Sequence, residues 1–174
     1  YTIVDTLSLH DAPPIYGTYI DLRYHAELAA AVAAEPAGPT DPGAQVYTTV
    51  CAACHQANGQ GLPGAFPALA NSDWVNADPE TPIRVVLAGL SGPIKVNGAD
   101  FNSMMPPPPG LDDEKIANAL TYVRANFGNK SSAITKDQVA AVRAGLAGRS
   151  NPFTAEELIK LRPATAERDG TQNK

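Results

Sequence analysis

The chemistry-bearing residues of this chain are concentrated in one pentapeptide, Cys51-Ala52-Ala53-Cys54-His55, which contains both cysteines of the sequence. A spacing of three places the two sulfurs on one side of a single helical turn. There they can form thioethers to two vinyl groups of one porphyrin, and the next residue can bring its imidazole beneath the iron. The pentapeptide therefore predicts a site for one covalently attached c-type haem.

Two other interpretations of the pentapeptide fit its surroundings less well. A thioredoxin-like redox pair lies between a strand and a helix, whereas here a helical pattern precedes the cysteines and a Gly/Pro-rich loop follows them. A structural zinc site needs four nitrogen or sulfur ligands. Outside the pentapeptide the chain offers only His10 and His25 for that purpose. Haem attachment is therefore the favoured prediction.

A haem that carries electrons needs a second axial ligand, often a methionine thioether, whose softness favours ferrous iron. The chain has two methionines, Met104 and Met105, which lie side by side in a loop before the proline run 106–109. That stiff run suits holding one side chain against iron better than filling a gap in the core. Because neighbours in an extended segment point to opposite faces, only one methionine can bind. His25 is the alternative sixth ligand.

The composition agrees with a core that is filled by a cofactor. Only 6% of the 174 residues are aromatic, while Gly contributes 14 and Pro 16, so few large side chains are available to form a core. A flat apolar macrocycle would replace them. It would also give the long loops at 56–71 and 91–110 a surface on which to order.

Charge and hydropathy argue against two classes of partner surface. The net charge of −5 lacks the basic excess that nucleic acid binding requires, so no nucleic acid partner is expected. No apolar run approaches the roughly 20 residues that cross a bilayer. The chain begins at Tyr1 without a basic and then apolar leader, so we expect a mature form or a fragment whose targeting signal is missing.

Shifts in charge and in Pro/Gly content divide the sequence into three predicted parts. Residues 1–42 form an N-terminal extension, 43–128 a monohaem domain and 129–174 a helical C-terminal tail. Within the extension, residues 21–34 could form a helix with a mainly alanine face. Residues 6–15 resemble a translated sequencing adapter, so no function is assigned to them.

Capping residues and apolar periodicity predict helices at 43–51, at 81–89, at 112–128 and, in the tail, after the caps Thr135 and Thr154. In the second of these, Thr81 is expected to be the N-cap and Pro82 the first helical residue. The two tail helices are amphipathic, so we expect them to pack on the haem domain. No strand of convincing length is predicted.

Residues 43–128 resemble a class I c-type cytochrome, and the resemblance covers roughly half of the chain. Gly43 and Tyr47 lie eight and four positions before Cys51, where the family's N-terminal helix packs closely against its C-terminal helix. Tyr122 is the matching aromatic residue on that last helix. More narrowly, residues 45–129 resemble monohaem domains attached to, or encoded beside, periplasmic oxidoreductases and respiratory complexes.

The resemblance also implies a ligand set. Pro67 lies twelve positions after His55, where the family's proline carbonyl accepts the histidine Nδ1–H and fixes its tautomer. Residues 102–107, with the sequence NSMMPP, resemble the family's ligand loop, in which the methionine directly before the double proline binds iron. This selects Met105 and makes Met104 a non-ligand. The implied cofactor-binding residues are Cys51, Cys54, His55, Pro67 and Met105, of which His55 and Met105 bind the metal.

The implied fold is all-α, a class I cytochrome c fold around one covalent haem c, extended by a two-helix C-terminal tail. The implied function is electron transfer without catalytic residues, because two axial ligands leave the iron no position for a substrate. Redox protein partners are expected, in the periplasm or at the outer face of the cytoplasmic membrane. Because the domain is acidic, its contact with them should be apolar and only weakly dependent on salt.

Two alternatives to a simple electron carrier remain. One is a haem enzyme or gas sensor in which Met105 is displaced, although the ligand loop offers no distal His or Arg for peroxide chemistry. The other is a haem subunit that is held in a larger, membrane-associated complex by its tail and its N-terminal segment.

Overall fold

The computed structural model describes residues 41–163, and the helix proposed at 21–34, together with His10 and His25, lies outside them. The elements in chain order are α1 (Pro42–Val46), a π-helical turn (Tyr47–Cys51), α2 (Ala52–His55), α3 (Asp73–Ala77), α4 (Glu80–Ala88), β1 (Pro93–Val96), β2 (Ala99–Asn102), α5 (Asp113–Ala125), α6 (Lys136–Gly145) and α7 (Ala155–Leu161). The described part is thus mainly helical.

Helices α1 and α5 cross with their backbones in close contact at Gly43. A Cβ atom there would lie 2.3 Å from the carbonyl oxygen of Asn118 and 2.8 Å from Cβ of Tyr122, so the crossing requires glycine. Beside it, the rings of Tyr47, Tyr122 and Phe127 pack with centroids 4.9 to 5.7 Å apart. The helix that leads into the pentapeptide is therefore fixed to α5.

The start of α4 differs from the prediction. The helix begins at Glu80, because Asp78 Oδ1 accepts hydrogen bonds from the backbone N–H groups of Glu80 and Thr81, each at 2.9 Å. The Thr81 hydroxyl donates to Asp78 Oδ2 at 2.5 Å. The carboxylate therefore caps the helix, and the assignment of Thr81 as the N-cap was wrong. The predicted end is correct, since Gly89 follows the last residue with φ +84°.

A short hairpin occupies residues 93–102, where no strand of convincing length was predicted. Strands β1 and β2 pair antiparallel, with Ile94 opposite Phe101, and both of these side chains are buried. Asn97 and Gly98 connect the strands with φ of 51° and 82°, the positive values that tight hairpin turns require.

Two further local features near the pentapeptide were not predicted. The helix expected at 43–51 starts as α1, which Asp41 caps, but it widens into the π-helical turn before the first cysteine. Helix α3 follows the long loop, and its N-terminus is capped by Ser72, whose hydroxyl accepts from the backbone of Trp74 and Val75.

The two tail helices pack on the haem domain, as expected. Their predicted capping boxes are both present, Thr135 with Gln138 and Thr154 with Glu157. One apolar cluster joins α4, α5 and α6 and contains Ile83, Ile116, Ala117, Leu120, Ile134 and Val139. A second joins the hairpin to the last part of the tail and contains Leu90, Ile94, Val96, Phe101, Phe153 and Leu158. The tail thus shares both of its clusters with the domain.

A buried arginine links α5 to α3 and to the segment that follows α5. Arg124 is 3% exposed. Its Nε donates to the Ser132 carbonyl oxygen at 2.8 Å, and its Nη1 donates to the Val75 carbonyl oxygen. Nη1 also lies 3.5 Å from the carbonyl oxygen of Asp78. Burial lowers the pKa of Arg124, while the nearby Asp78 carboxylate acts in the opposite direction. One side chain therefore satisfies three backbone oxygens, two at α3 and its C-terminal end and one in the segment after α5.

Candidate haem-binding site

The pentapeptide lies at the junction between the π-helical turn and α2. Cys51 is the last residue of the turn and is partly buried, while Cys54 lies in α2 and is exposed. Helix α2 ends at His55, and its C-cap Gln56 adopts φ 65° and ψ 157°. The Tyr47 hydroxyl donates to the Gln56 carbonyl oxygen at 2.6 Å. This bond ties the end of the pentapeptide to the crossing of α1 and α5.

The imidazole of His55 is oriented by a backbone carbonyl. The ring is 7% exposed, and its Nδ1 lies 2.9 Å from the carbonyl oxygen of Pro67, which can only accept. Nδ1 must therefore carry the proton, and Nε2 is the nitrogen available to a metal. Burial lowers the pKa of His55, although the bond to Pro67 opposes that effect. The neutral, ligating form is thus favoured.

The loop after the pentapeptide holds Pro67 in place through close backbone contacts. The N–H of Gly61 donates to the His55 carbonyl oxygen at 2.9 Å. A Cβ at Gly61 would lie 2.3 Å from the Phe66 oxygen and 2.6 Å from the Pro67 oxygen, so a side chain here would disturb the acceptor. Gly59 accepts from the N–H groups of Leu69 and Ala70 at 2.8 and 2.9 Å. The Gly-x-Gly after the motif is part of the family resemblance in the sequence, but the role of these two glycines in holding Pro67 becomes visible only in the structure.

The alternative uses of the cysteines gain no support from the structure. Burial, with a smaller effect from Cys54, raises the pKa of the Cys51 thiol to about 11, whereas a redox-active CxxC pair needs a lowered thiol pKa. Within residues 41–163, no group of three or more His, Cys, Asp or Glu side chains is arranged to hold a metal ion. The raised thiol pKa argues against a redox-active pair, while the zinc alternative relies on His10 or His25, which lie outside the described residues.

The two methionines occupy different environments. Met104 is 65% exposed, whereas Met105 is partly buried against the cluster that includes Leu90 and Phe153. The backbone of Met105 is paired with Leu90 in both directions, with N···O distances of 2.8 and 3.0 Å. The Ser103 hydroxyl donates to the Ala65 carbonyl oxygen at 3.1 Å. The structure therefore joins the methionine loop to the loop that carries Pro67.

The residues present fit a covalent haem. Two thiols are spaced for thioethers, a buried neutral imidazole has its Nε2 available, and a methionine thioether lies on an adjoining loop. Large side chains are too scarce to fill a core of this size, which agrees with an interior that a cofactor fills. Such a chain is a c-type cytochrome by its site and by its helical architecture.

Comparison with known proteins agrees with this class. The family model described as Cytochrome c matches residues 40–127, and the chain belongs to the cytochrome c family. It is 39% identical over 124 residues to cytochrome c-552 of Thermus thermophilus, which covers 69% of this chain and 83% of that protein. It is 34% identical over 115 residues to the fructose dehydrogenase cytochrome subunit of Gluconobacter japonicus, covering 61% of this chain but only 23% of the subunit.

A third relative is the cytochrome c subunit of a quinone-dependent alcohol dehydrogenase from Gluconacetobacter polyoxogenes. It is 31% identical over 139 residues, which cover 78% of this chain and 29% of the subunit. The predictions of a class I c-type cytochrome fold, of covalent haem c and of electron transfer are thus confirmed. Among residues 41–163, none of the helices has the length and apolar character needed to span a membrane.

Proposed function

We propose that this chain carries single electrons through a haem held by His55 Nε2 and Met105 Sδ, and that it contains no catalytic residue. Haem supplies one-electron exchange at its iron when bound. The protein contributes two ligands that suit both oxidation states and a rigid frame around them. The observation that carries the proposal is the bond from His55 Nδ1 to the Pro67 carbonyl oxygen at 2.9 Å, because it fixes the ring nitrogen that ligates.

The environments of the methionines support Met105 as the second ligand. A ligand must stay in one position while the iron changes its charge, and the partly buried, backbone-paired Met105 meets that requirement. Met104 is largely exposed and is free to change rotamer. If His55 and Met105 both hold the iron, a substrate would have no access to it, which is why we propose an electron carrier and not an enzyme.

The proposed partners are redox proteins, either a dehydrogenase or a respiratory complex, in the periplasm or at the outer face of the cytoplasmic membrane. Support for such a partner comes from relatives that are cytochrome subunits of dehydrogenases. The exposed Leu62 and Met104, on the two joined loops, offer apolar contact area. Residues 43–128 carry four Lys and Arg against seven Asp and Glu, so we expect charge to be secondary in docking.

The test is an optical spectrum of the dithionite-reduced holoprotein before and after addition of carbon monoxide. The wild-type spectrum should not change, because both axial positions are filled. Met105→Ala should bind carbon monoxide rapidly, whereas Met104→Ala, a matched change one residue away, should behave like the wild type. A rapid, stoichiometric shift in the wild type would show an open iron and favour a sensor or an enzyme. An open M104A beside a closed M105A would overturn the choice of ligand.

A further inference from the structure

We propose that Phe153, in the C-terminal tail, is a positioning residue for Met105, and that the tail holds the iron-ligating loop in place. This inference rests on the proposed role of Met105 as a ligand. It assigns to the tail an effect on the haem that goes beyond adding stability. The segment between Gly89 and Ser91 lies between the methionine loop and the tail, and three of its features connect the two.

The first feature is a small backbone ladder with Leu90 in its centre. On one edge, Leu90 exchanges two hydrogen bonds with Met105, at 2.8 and 3.0 Å. On the other edge, the Phe153 N–H donates to the Gly89 oxygen at 3.0 Å, and the Ser91 N–H donates to the Phe153 oxygen at 2.9 Å. The bridges are antiparallel to Met105 and parallel to Phe153. Phe153 thus fixes the very backbone to which Met105 is bonded.

The second feature is the burial of the Phe153 ring. It is 1% exposed and belongs to the apolar cluster that also contacts the partly buried Met105. The guanidinium of Arg149 lies 3.6 Å from the ring centroid. Arg149 also donates to Asn151 O at 2.8 Å and to a carboxylate oxygen of Glu157 at 2.9 Å. The turn that presents the ring is therefore held by its own contacts.

The third feature is the lack of space between the ladder and the methionine loop. A Cβ at Gly89 would lie 2.7 Å from the Met105 oxygen and 3.1 Å from Cδ of Pro107. Gly89 also has φ +84°, a conformation that side chains disfavour. Because the two backbones are in close contact here, a displacement of residues 89–91 must also move Met105.

These contacts should favour a closed arrangement of the methionine loop, in which Met105 binds the iron, over an open one, in which it does not. A thioether is a weak ligand, so the fraction of protein with an open sixth position depends on how firmly the loop is held. Loosening the ladder should raise the population of the open arrangement, and with it the apparent affinity for a ligand such as carbon monoxide that binds only to the open iron. A tail that merely stabilised the fold would not change this fraction until the whole protein unfolded.

The experiment compares Phe153→Ala and Phe153→Leu with Val139→Ala in the holoprotein. Val139 is 0% exposed on tail helix α6, but it packs in the other apolar cluster, so it controls for lost stability. The readouts are carbon monoxide binding to the reduced protein, the absorption band of methionine bound to ferric haem, and the reduction potential. We expect F153A to bind carbon monoxide with an apparent affinity at least about tenfold above that of the wild type, whose spectrum should not change, and to show a weaker ferric band and a lower potential.

The control and the conservative variant decide between outcomes. V139A should lose stability and keep the wild-type haem properties, while F153L should shift them less than F153A and in the same direction. If F153A does not fold, F153L decides. If the folded variants at residue 153 lose only stability and keep the wild-type haem properties, Phe153 is not a positioning residue. That result would not affect the assignment of Met105 as the ligand. A wild-type protein that binds carbon monoxide freely, or a closed M105A, would instead refute the ligand assignment.

Discussion

Replacing Gly43 by alanine should destabilise the protein by forcing α1 away from α5. The new Cβ would lie 2.3 Å from the Asn118 oxygen and 2.8 Å from Cβ of Tyr122, and neither atom belongs to a mobile side-chain end. Overpacking of this kind costs about 3 kcal/mol at the upper end. Alanine returns about 1 kcal/mol of helix propensity. The net loss is therefore about 2 kcal/mol, which lowers the Tm by roughly 4–8 °C for a chain of this size.

The measurement is thermal unfolding of the holoprotein, followed by far-ultraviolet circular dichroism. Gly145→Ala is the matched control, because Gly145 ends helix α6 and a Cβ there meets no heavy atom within 4 Å. It should leave the Tm unchanged or raise it slightly. Equal Tm values for the wild type and G43A would refute the argument that the crossing depends on the absent side chain.

A buried arginine, a buried tyrosine and the docking surface each have a measurable consequence. Arg124→Ala should lower the free energy of unfolding, measured with denaturant, by about 3 kcal/mol, because the backbone oxygens that accept from Arg124 would stay buried without a charged donor. A loss below about 0.5 kcal/mol would contradict this. Burial raises the pKa of Tyr47 from 10.0 to about 12, so the folded state holds the hydroxyl proton more tightly than the unfolded state does. The free energy of unfolding should therefore fall as pH rises from about 10 through about 12. Tyr47→Phe should flatten that part of the pH profile of the Tm, and parallel profiles for the variant and the wild type would refute the assignment. Electron transfer to a partner should depend only weakly on ionic strength, and a steep fall in stopped-flow rates with added salt would show that charge dominates docking.

The helix starts that rest on local chemistry could be predicted from the sequence. Asp112 accepts from the Lys115 N–H at 2.8 Å, as an N-cap should, and Thr135 and Thr154 form their predicted capping boxes. These signals lie within four residues of the helix start, so the rest of the fold does not alter them. The haem pentapeptide is equally local, which is why its chemistry was clear from spacing.

The hairpin and the buried arginine were not predicted, the first because a local signal was neglected and the second because its contacts are distant in the sequence. The Asn97-Gly98 pair between alternating apolar residues is a strong hairpin signal, and it was overlooked because the strands have only four residues each. The burial of Arg124 depends on Val75 and Ser132, which come together only in the fold. Spacing alone could not choose between the two methionines either; the resemblance made that choice.

The crossing at Gly43 also bears on the order of folding. It joins the first described helix to α5, so the segment between them must close into a long loop before the contact can form. That segment contains both haem-attaching cysteines and few aromatic residues to drive collapse. Its chain entropy opposes folding until an apolar body fills the interior, so covalent attachment of the cofactor and closure of the loop should be coupled events.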